Sequence, residues 1–159
     1  MTNPPKAAPR KGDVPWSLAA EQALIACVIL DEQQAWSEGV ADIVSLADFF
    51  LPEHKDIWRA MLHLREEGLP IGWLSMVVAL SELSLLDKID HEVGSTEVYL
   101  VEITGQHYAA TGASMFARMV KDYSERRKLI QEAQTMVRDA YDVTKPLTRE
   151  DRSNAGGFE

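Results

Sequence analysis

The sequence predicts an all-α protein, a compact multi-helix head followed by one long protruding helix, on three observations. Apolar residues recur at helical spacing in one segment after another. No stretch alternates apolar and polar residues for long enough to demand a strand. Between Gly112 and Pro146 neither glycine nor proline interrupts a periodic run. At 159 residues, with 46% hydrophobic and 26% charged residues, the chain is one domain's worth. A domain of that size can bury roughly 68–70% of the surface its unfolded chain exposes.

Residues 1–14 hold Pro4, Pro5 and Pro9 among Lys6, Arg10, Lys11 and Gly12, a composition that builds no core and reads as a flexible tail. The head, 15–110, opens at Ser17, a suitable N-cap for a helix carrying Ala20, Ala23, Leu24, Cys27 and Val28 and ending near Asp31. A weaker helical segment lies around Gln33 to Val40, with Gly39 near its end. After a loop with Phe49 and Phe50, Pro52 suits the first turn of a helix bearing Ile57, Trp58, Met61, Leu62 and Leu64, which Gly68 and Pro70 stop. Another helix runs from about Trp73 to Leu83, with Met76, Val77 and Leu80 inward, and Leu85, Leu86 and Ile89 close that unit before Gly94. Ser95 or Thr96 can cap a short helix with Val98, Tyr99, Leu100 and Ile103 that breaks at Gly105. The long helix, 111–142, carries Phe116, Met119, Val120, Tyr123, Ile130, Ala133, Val137 and Ala140. About 30 residues at about 1.5 Å each make it roughly 45 Å long. Residues 143–159, with Pro146, Gly156 and Gly157, read as a second flexible tail.

Composition narrows the function. A formal charge of −9 and a pI near 4.9 oppose an independent duplex-binding role, because that affinity comes from Lys and Arg neutralising phosphates. The single cysteine, Cys27, sits in an apolar run, so one chain forms neither a disulfide framework nor a cysteine metal cluster. No apolar stretch is long enough to span a bilayer and the first residues carry no signal core, so a cytoplasmic location is expected. His54, His63, His91 and His107 show no metal-ligand spacing and read as packing or surface residues. Glu66 with Glu67, and Asp87 with Asp90, read as solvated helix ends rather than acid–base pairs. Neither a nucleophile elbow nor a phosphate-cradling glycine pattern occurs, so no catalytic residue, cofactor or metal is expected.

Read in order, the segments from Pro15 to Tyr141 resemble the N-terminal domain of the DnaB family of replicative DNA helicases. The resemblance rests on Pro15-Trp-Ser-Leu-Ala-Ala-Glu-Gln-Ala-Leu-Ile25, on Asp48-Phe-Phe-Leu-Pro-Glu-His-Lys-Asp-Ile-Trp58, and on the spacing through Leu64, Gly68, Pro70, Ile71, Leu86, Asp87, Gly94, Tyr99 and Leu100. It continues through Ala117-Arg-Met-Val-Lys-Asp122 and Arg126-Arg-Lys-Leu-Ile130. The departures are Gly72 where the family has a capping aspartate, Gly94-Ser95 for a double glycine, and no G-x-x-x-x-G-K-[ST] phosphate loop. The polar end after Thr148 also suggests that the family's second hairpin helix is missing.

The resemblance implies dimers that build a ring collar and receive primase or a helicase loader. The expected role is a non-catalytic replication accessory protein, of a kind a phage could encode, that binds a replicative helicase in loading, inhibition or adaptor work. The alternatives are a truncated collar domain mediating oligomerisation and primase binding, and a single-stranded DNA-binding module. The expected partner surface is the apolar stripe Phe116, Met119, Tyr123, Ile130, Ala133, Met136, Val137 and Tyr141, docking a helix of a second copy or of a helicase. Arg126, Arg127 and Lys128 are candidate nucleic-acid contacts, weighed against ion pairing with the interleaved Asp122, Glu125, Glu132 and Asp139.

Overall fold

The computed structural model describes residues 14–107 and 111–155; they form nine α-helices and a 3₁₀ turn, with no strand among them. The proline-rich segment before Val14, the expected end of the head at 108–110, and Gly156 and Gly157 lie outside the described residues.

Helix α1 (Leu18–Leu30) starts where the sequence places it, with the Ser17 hydroxyl accepting from the Ala20 N–H at 3.1 Å. It ends at Asp31, whose carboxylate accepts from the Gln34 N–H and caps α2 (Glu32–Ser37). The weaker segment after it divides at Gly39, which takes φ 77° and separates α2 from α3 (Val40–Ile43). A 3₁₀ turn, Leu46–Asp48, leads to α4 (Pro52–Glu66), with Pro52 in the first turn. Gly68 closes α4 at φ 67°, with the Leu69 N–H returning to the Leu64 carbonyl at 2.9 Å. Gly72 has no side chain to cap α5 (Trp73–Glu82), but Ser75 Oγ accepts from the Gly72 N–H at 2.8 Å. That supplies the reciprocal half of a capping box.

The segment holding Leu86 and Ile89 is a helix in its own right, α6 (Leu86–Val93), ended by Gly94 at φ 87°. Helix α7 (Thr96–Gln106) runs through Gly105 instead of breaking there, because Gly105 is exposed and the cap comes from the His107 N–H to the Ile103 carbonyl. The long helix, α8 (Ala113–Tyr141), has 29 residues. The polar segment after it also contains a short helix, α9 (Arg149–Ala155). Thr148 Oγ1 accepts from the Asp151 N–H at 3.2 Å while Asp151 Oδ2 accepts from the Thr148 N–H at 2.8 Å. This capping box, not an apolar face, starts α9.

The chain divides into two compact units, Met1–Ser124 and Glu125–Glu159. The core belongs to the first. Ala20, Leu24, Ile25, Cys27 and Val28 of α1 are buried on nearly every side, and α4 adds Ile57, Trp58, Ala60, Met61 and Leu64. Met76, Leu80, Ile89, Leu100 and Ile103 bring α5, α6 and α7 into the same cluster. Each fully buried aliphatic or phenyl side chain contributes roughly 1.5–3 kcal/mol. In the second unit no described residue is buried; Ile130 and Met136 are half-buried, and Leu129, Val137 and Tyr141 are exposed.

Candidate partner-binding surface

The Asp48–Trp58 segment is a structural staple, residue by residue. Phe49 is buried against Trp58, with ring centroids 5.2 Å apart, and Trp36 meets the other side of Trp58 at 5.8 Å. Phe50 stacks on Trp16 at 4.7 Å and fixes the entry of the chain. Glu21 of α1, though buried, accepts hydrogen bonds from the Phe50 N–H and faces His54 Nδ1 at 2.6 Å. A carboxylate can only accept, so Nδ1 carries the proton of that contact. His54 Nε2 in turn lies 2.7 Å from the Tyr99 hydroxyl, which accepts from Gln22 Nε2 at 3.2 Å. One relay thus ties α1, α4, α7 and the 49–51 loop. Burial pushes the Tyr99 phenol up, opposed by the Gln22 hydrogen bond and reinforced by the charges of Glu53 and Glu21.

Asp48 anchors α8 at Lys121 and Ser124. Its buried carboxylate accepts from the Ser45 N–H at 2.7 Å and the Ser124 hydroxyl at 2.7 Å, with Lys121 Nζ at 3.4 Å. Burial alone would raise the Asp48 carboxyl, but the donors of Ser45 and Ser124 and the Lys121 charge outweigh it and hold it below the usual carboxylate range. At the first turn of α8 the Glu38 carboxylate accepts from the Ser114 N–H at 2.8 Å, and that bond, then one from Gln34, lowers the Glu38 pKa. The buried residues of α8 are Ala113, Ala117, Val120 and Ser124, at steps of four, three and four. The same steps lead next to Arg127, Gln131, Gln134 and Arg138, so the apolar inward stripe ends at Ser124.

The expected partner residues fall into two sets. Within the first unit, Phe116 is half-buried and packed against the core, whereas Met119 and Tyr123 line a shallow depression of about 420 Å³ with Met115, Arg118 and Asp122. Phe116 therefore works mainly for the fold. In the second unit Ile130, Ala133, Val137 and Tyr141 follow at helical steps, with Val137 57% and Tyr141 85% exposed. Met136 is half-buried beside Lys128, Gln131 and Glu132.

Residues 13–122 match the family model described as the DnaB-like helicase N terminal domain. The chain belongs to this family. It is 31% identical over 137 residues to the replicative DNA helicase DnaB of Geobacillus stearothermophilus, covering 86% of this chain and 27% of that protein. The replicative DNA helicase DnaC of Bacillus subtilis (strain 168) gives the same identity and coverage. The chain thus spans 27% of the length of these relatives. Among solved structures, it resembles the crystal structure of the N-terminal domain of DnaB helicase from Mycobacterium tuberculosis. That likeness has a TM-score of 0.75 at 23% identity and covers 91% of this chain and 96% of the other, which shows the fold.

In this DnaB-type domain the remaining chemical candidates have local structural roles. Cys27 is buried, and burial followed by the nearby Glu38 charge pushes its thiol up, away from the thiolate. Asp90, read from sequence as a solvated helix end, instead accepts from the Thr96 hydroxyl at 2.6 Å and the Thr96 N–H at 2.7 Å, linking α6 to α7. Those two bonds lower its pKa. His54 belongs to the relay, while His63 and His91 are partly or fully exposed. Arg126 and Lys128 are exposed and Arg127 half-buried, all with polar or electrostatic partners. No helix among the described residues is long and apolar enough to cross a membrane.

Sequence reasoning missed an apolar face on α5 and α7. Leu74, Val78, Val98 and Val101 are exposed there although the core side of both helices is already filled. A usable signal was present: Trp73-Leu-Ser-Met-Val-Val-Ala-Leu80 is apolar nearly all round, which one buried face does not require.

Proposed function

We propose that this DnaB-type domain works without catalysis in the cytoplasm, as an assembly and docking element of DNA replication whose working surface is the distal half of α8. The observation that carries this is the series of half-buried Ile130 and exposed Ala133, Val137 and Tyr141 beyond the point where the inward stripe turns polar. Exposed apolar side chains at helical spacing are what a second helix covers. Correspondence with 96% of a DnaB N-terminal domain favours the collar reading, in which copies of the domain associate and the assembly receives primase or a helicase loader. In the second reading the same face covers a collar surface of a replicative helicase as an accessory protein, in loading, inhibition or adaptor work. The mixed charges around Arg126, Arg127 and Lys128 support ion pairing with Asp122, Glu125 and Glu132 over single-stranded DNA binding. Mixing the chain with a full-length DnaB helicase and following mass by light scattering separates the readings. Self-association alone supports the collar role, and a stoichiometric mixed complex supports the accessory role. A strict monomer that leaves the helicase unchanged overturns both.

A further inference from the structure

Helices α5 and α7 carry an open apolar face of their own. The two helices pack together, and the Trp73 indole N–H donates to Thr104 Oγ1 at 3.2 Å, tying the start of α5 to the end of α7. Their inward residues, Met76, Ala79, Leu80, Leu100 and Ile103, are buried. Outward, Leu74 is 73%, Val78 49%, Val98 54% and Val101 44% exposed. A group of large aliphatic residues left open on neighbouring helices exceeds the scattered apolar residues normal for a surface.

The charges on these helices say what covers the face. Residues 73–82 and 96–106 carry Glu82, Glu97 and Glu102, all exposed, and not one Lys, Arg or His. None of the three takes part in a hydrogen bond among the described residues; Glu82 has only a 3.9 Å contact with His63. A second copy laid on the same face would set three carboxylates against three in a chain that already carries −9. We propose that the α5/α7 face receives an amphipathic helix of a basic partner protein, its aliphatic ridge on Leu74, Val78, Val98 and Val101 and its flanking Lys or Arg against Glu82, Glu97 and Glu102. The aliphatic contact supplies affinity, and the carboxylates supply orientation and choice of partner.

The test uses the full chain and two fluorescein-labelled synthetic helices, one with a leucine ridge flanked by lysines, the other with glutamate in place of every lysine. Anisotropy should show salt-sensitive binding of the lysine peptide alone, and ¹⁵N chemical-shift changes should map to Trp73–Glu82 and Thr96–Gln106. Leu74→Ser with Val78→Ser, both at exposed positions, should weaken binding about tenfold or more while the thermal melt is retained. Glu82→Gln, Glu97→Gln and Glu102→Gln together should flatten the salt dependence. Equal binding of both peptides, no binding of either, or shifts that map elsewhere overturns the proposal. So does a concentration-dependent dimer that L74S/V78S abolishes, which would make a second copy the occupant.

Discussion

Replacing Glu21 with alanine should destabilise the domain more than any exposed substitution, for reasons that can be worked from the relay. Glu21 is 2% exposed and its two oxygens take the Phe50 N–H at 2.5 Å and His54 Nδ1 at 2.6 Å. Without it, a buried donor on His54 and a part-buried one on Phe50 lose their acceptor, at about 1–3 kcal/mol each. Together the two lost acceptors come to roughly 2–6 kcal/mol. Against a total stability of about 5–15 kcal/mol, that is a large fraction. For a domain of this size each kcal/mol shifts Tm by about 2–4 °C, so Glu21→Ala should melt about 4–24 °C lower. Glu21→Gln keeps one acceptor oxygen and should fall between. Gln22→Ala, at the half-buried edge of the relay, should cost under about 1 kcal/mol. Urea denaturation followed by circular dichroism measures all three. A Glu21→Ala variant within about 1 kcal/mol of the parent would refute the relay as a structural staple.

Asp48 gives a pH-dependent prediction: its folded pKa lies below its unfolded value of about 3.9. The carboxylate's stabilisation is therefore complete above that unfolded value and is lost as pH falls through the lowered folded pKa. The stability gap between the parent and Asp48→Asn should be constant near neutrality and shrink in acid; a gap that widens in acid would contradict the assignment. At about 150 mM salt the acidic chain should show no saturable binding to single-stranded oligonucleotides. Arg126→Gln with Arg127→Gln and Lys128→Gln should leave oligonucleotide retention in a filter assay unchanged.

The fold was legible where local chemistry decides it. Ser17, Pro52, Gly68 and the uninterrupted run after Gly112 mark helix ends through capping, fixed φ and glycine conformations, all of which operate within a few residues. α6 and α9 were harder. The first is eight residues long, and the second is started by a Thr148–Asp151 capping box without an apolar stripe. The relay was not legible because Glu21 and His54 are 33 residues apart, and His54 and Tyr99 are 45 apart. No local pattern brings them together. Asp48 to Ser124 spans 76 residues and escapes for the same reason. The candidate surface was half legible. Helical steps pick out Ile130, Ala133, Val137 and Tyr141, but the same steps pick out Phe116, which the core takes up. The α5/α7 face escaped because apolar residues on a short helix read as core until burial separates them.

Sedimentation velocity over a range of concentrations, on the parent and on Ile130→Asp with Val137→Asp, tests the central claim most directly. Both substitutions fall beyond the buried stripe of α8, so the melt of the first unit should be unchanged. The account predicts that the parent associates with itself or with a DnaB helicase and that the double variant sediments as a free monomer in either mixture. Association undiminished in the double variant would contradict it.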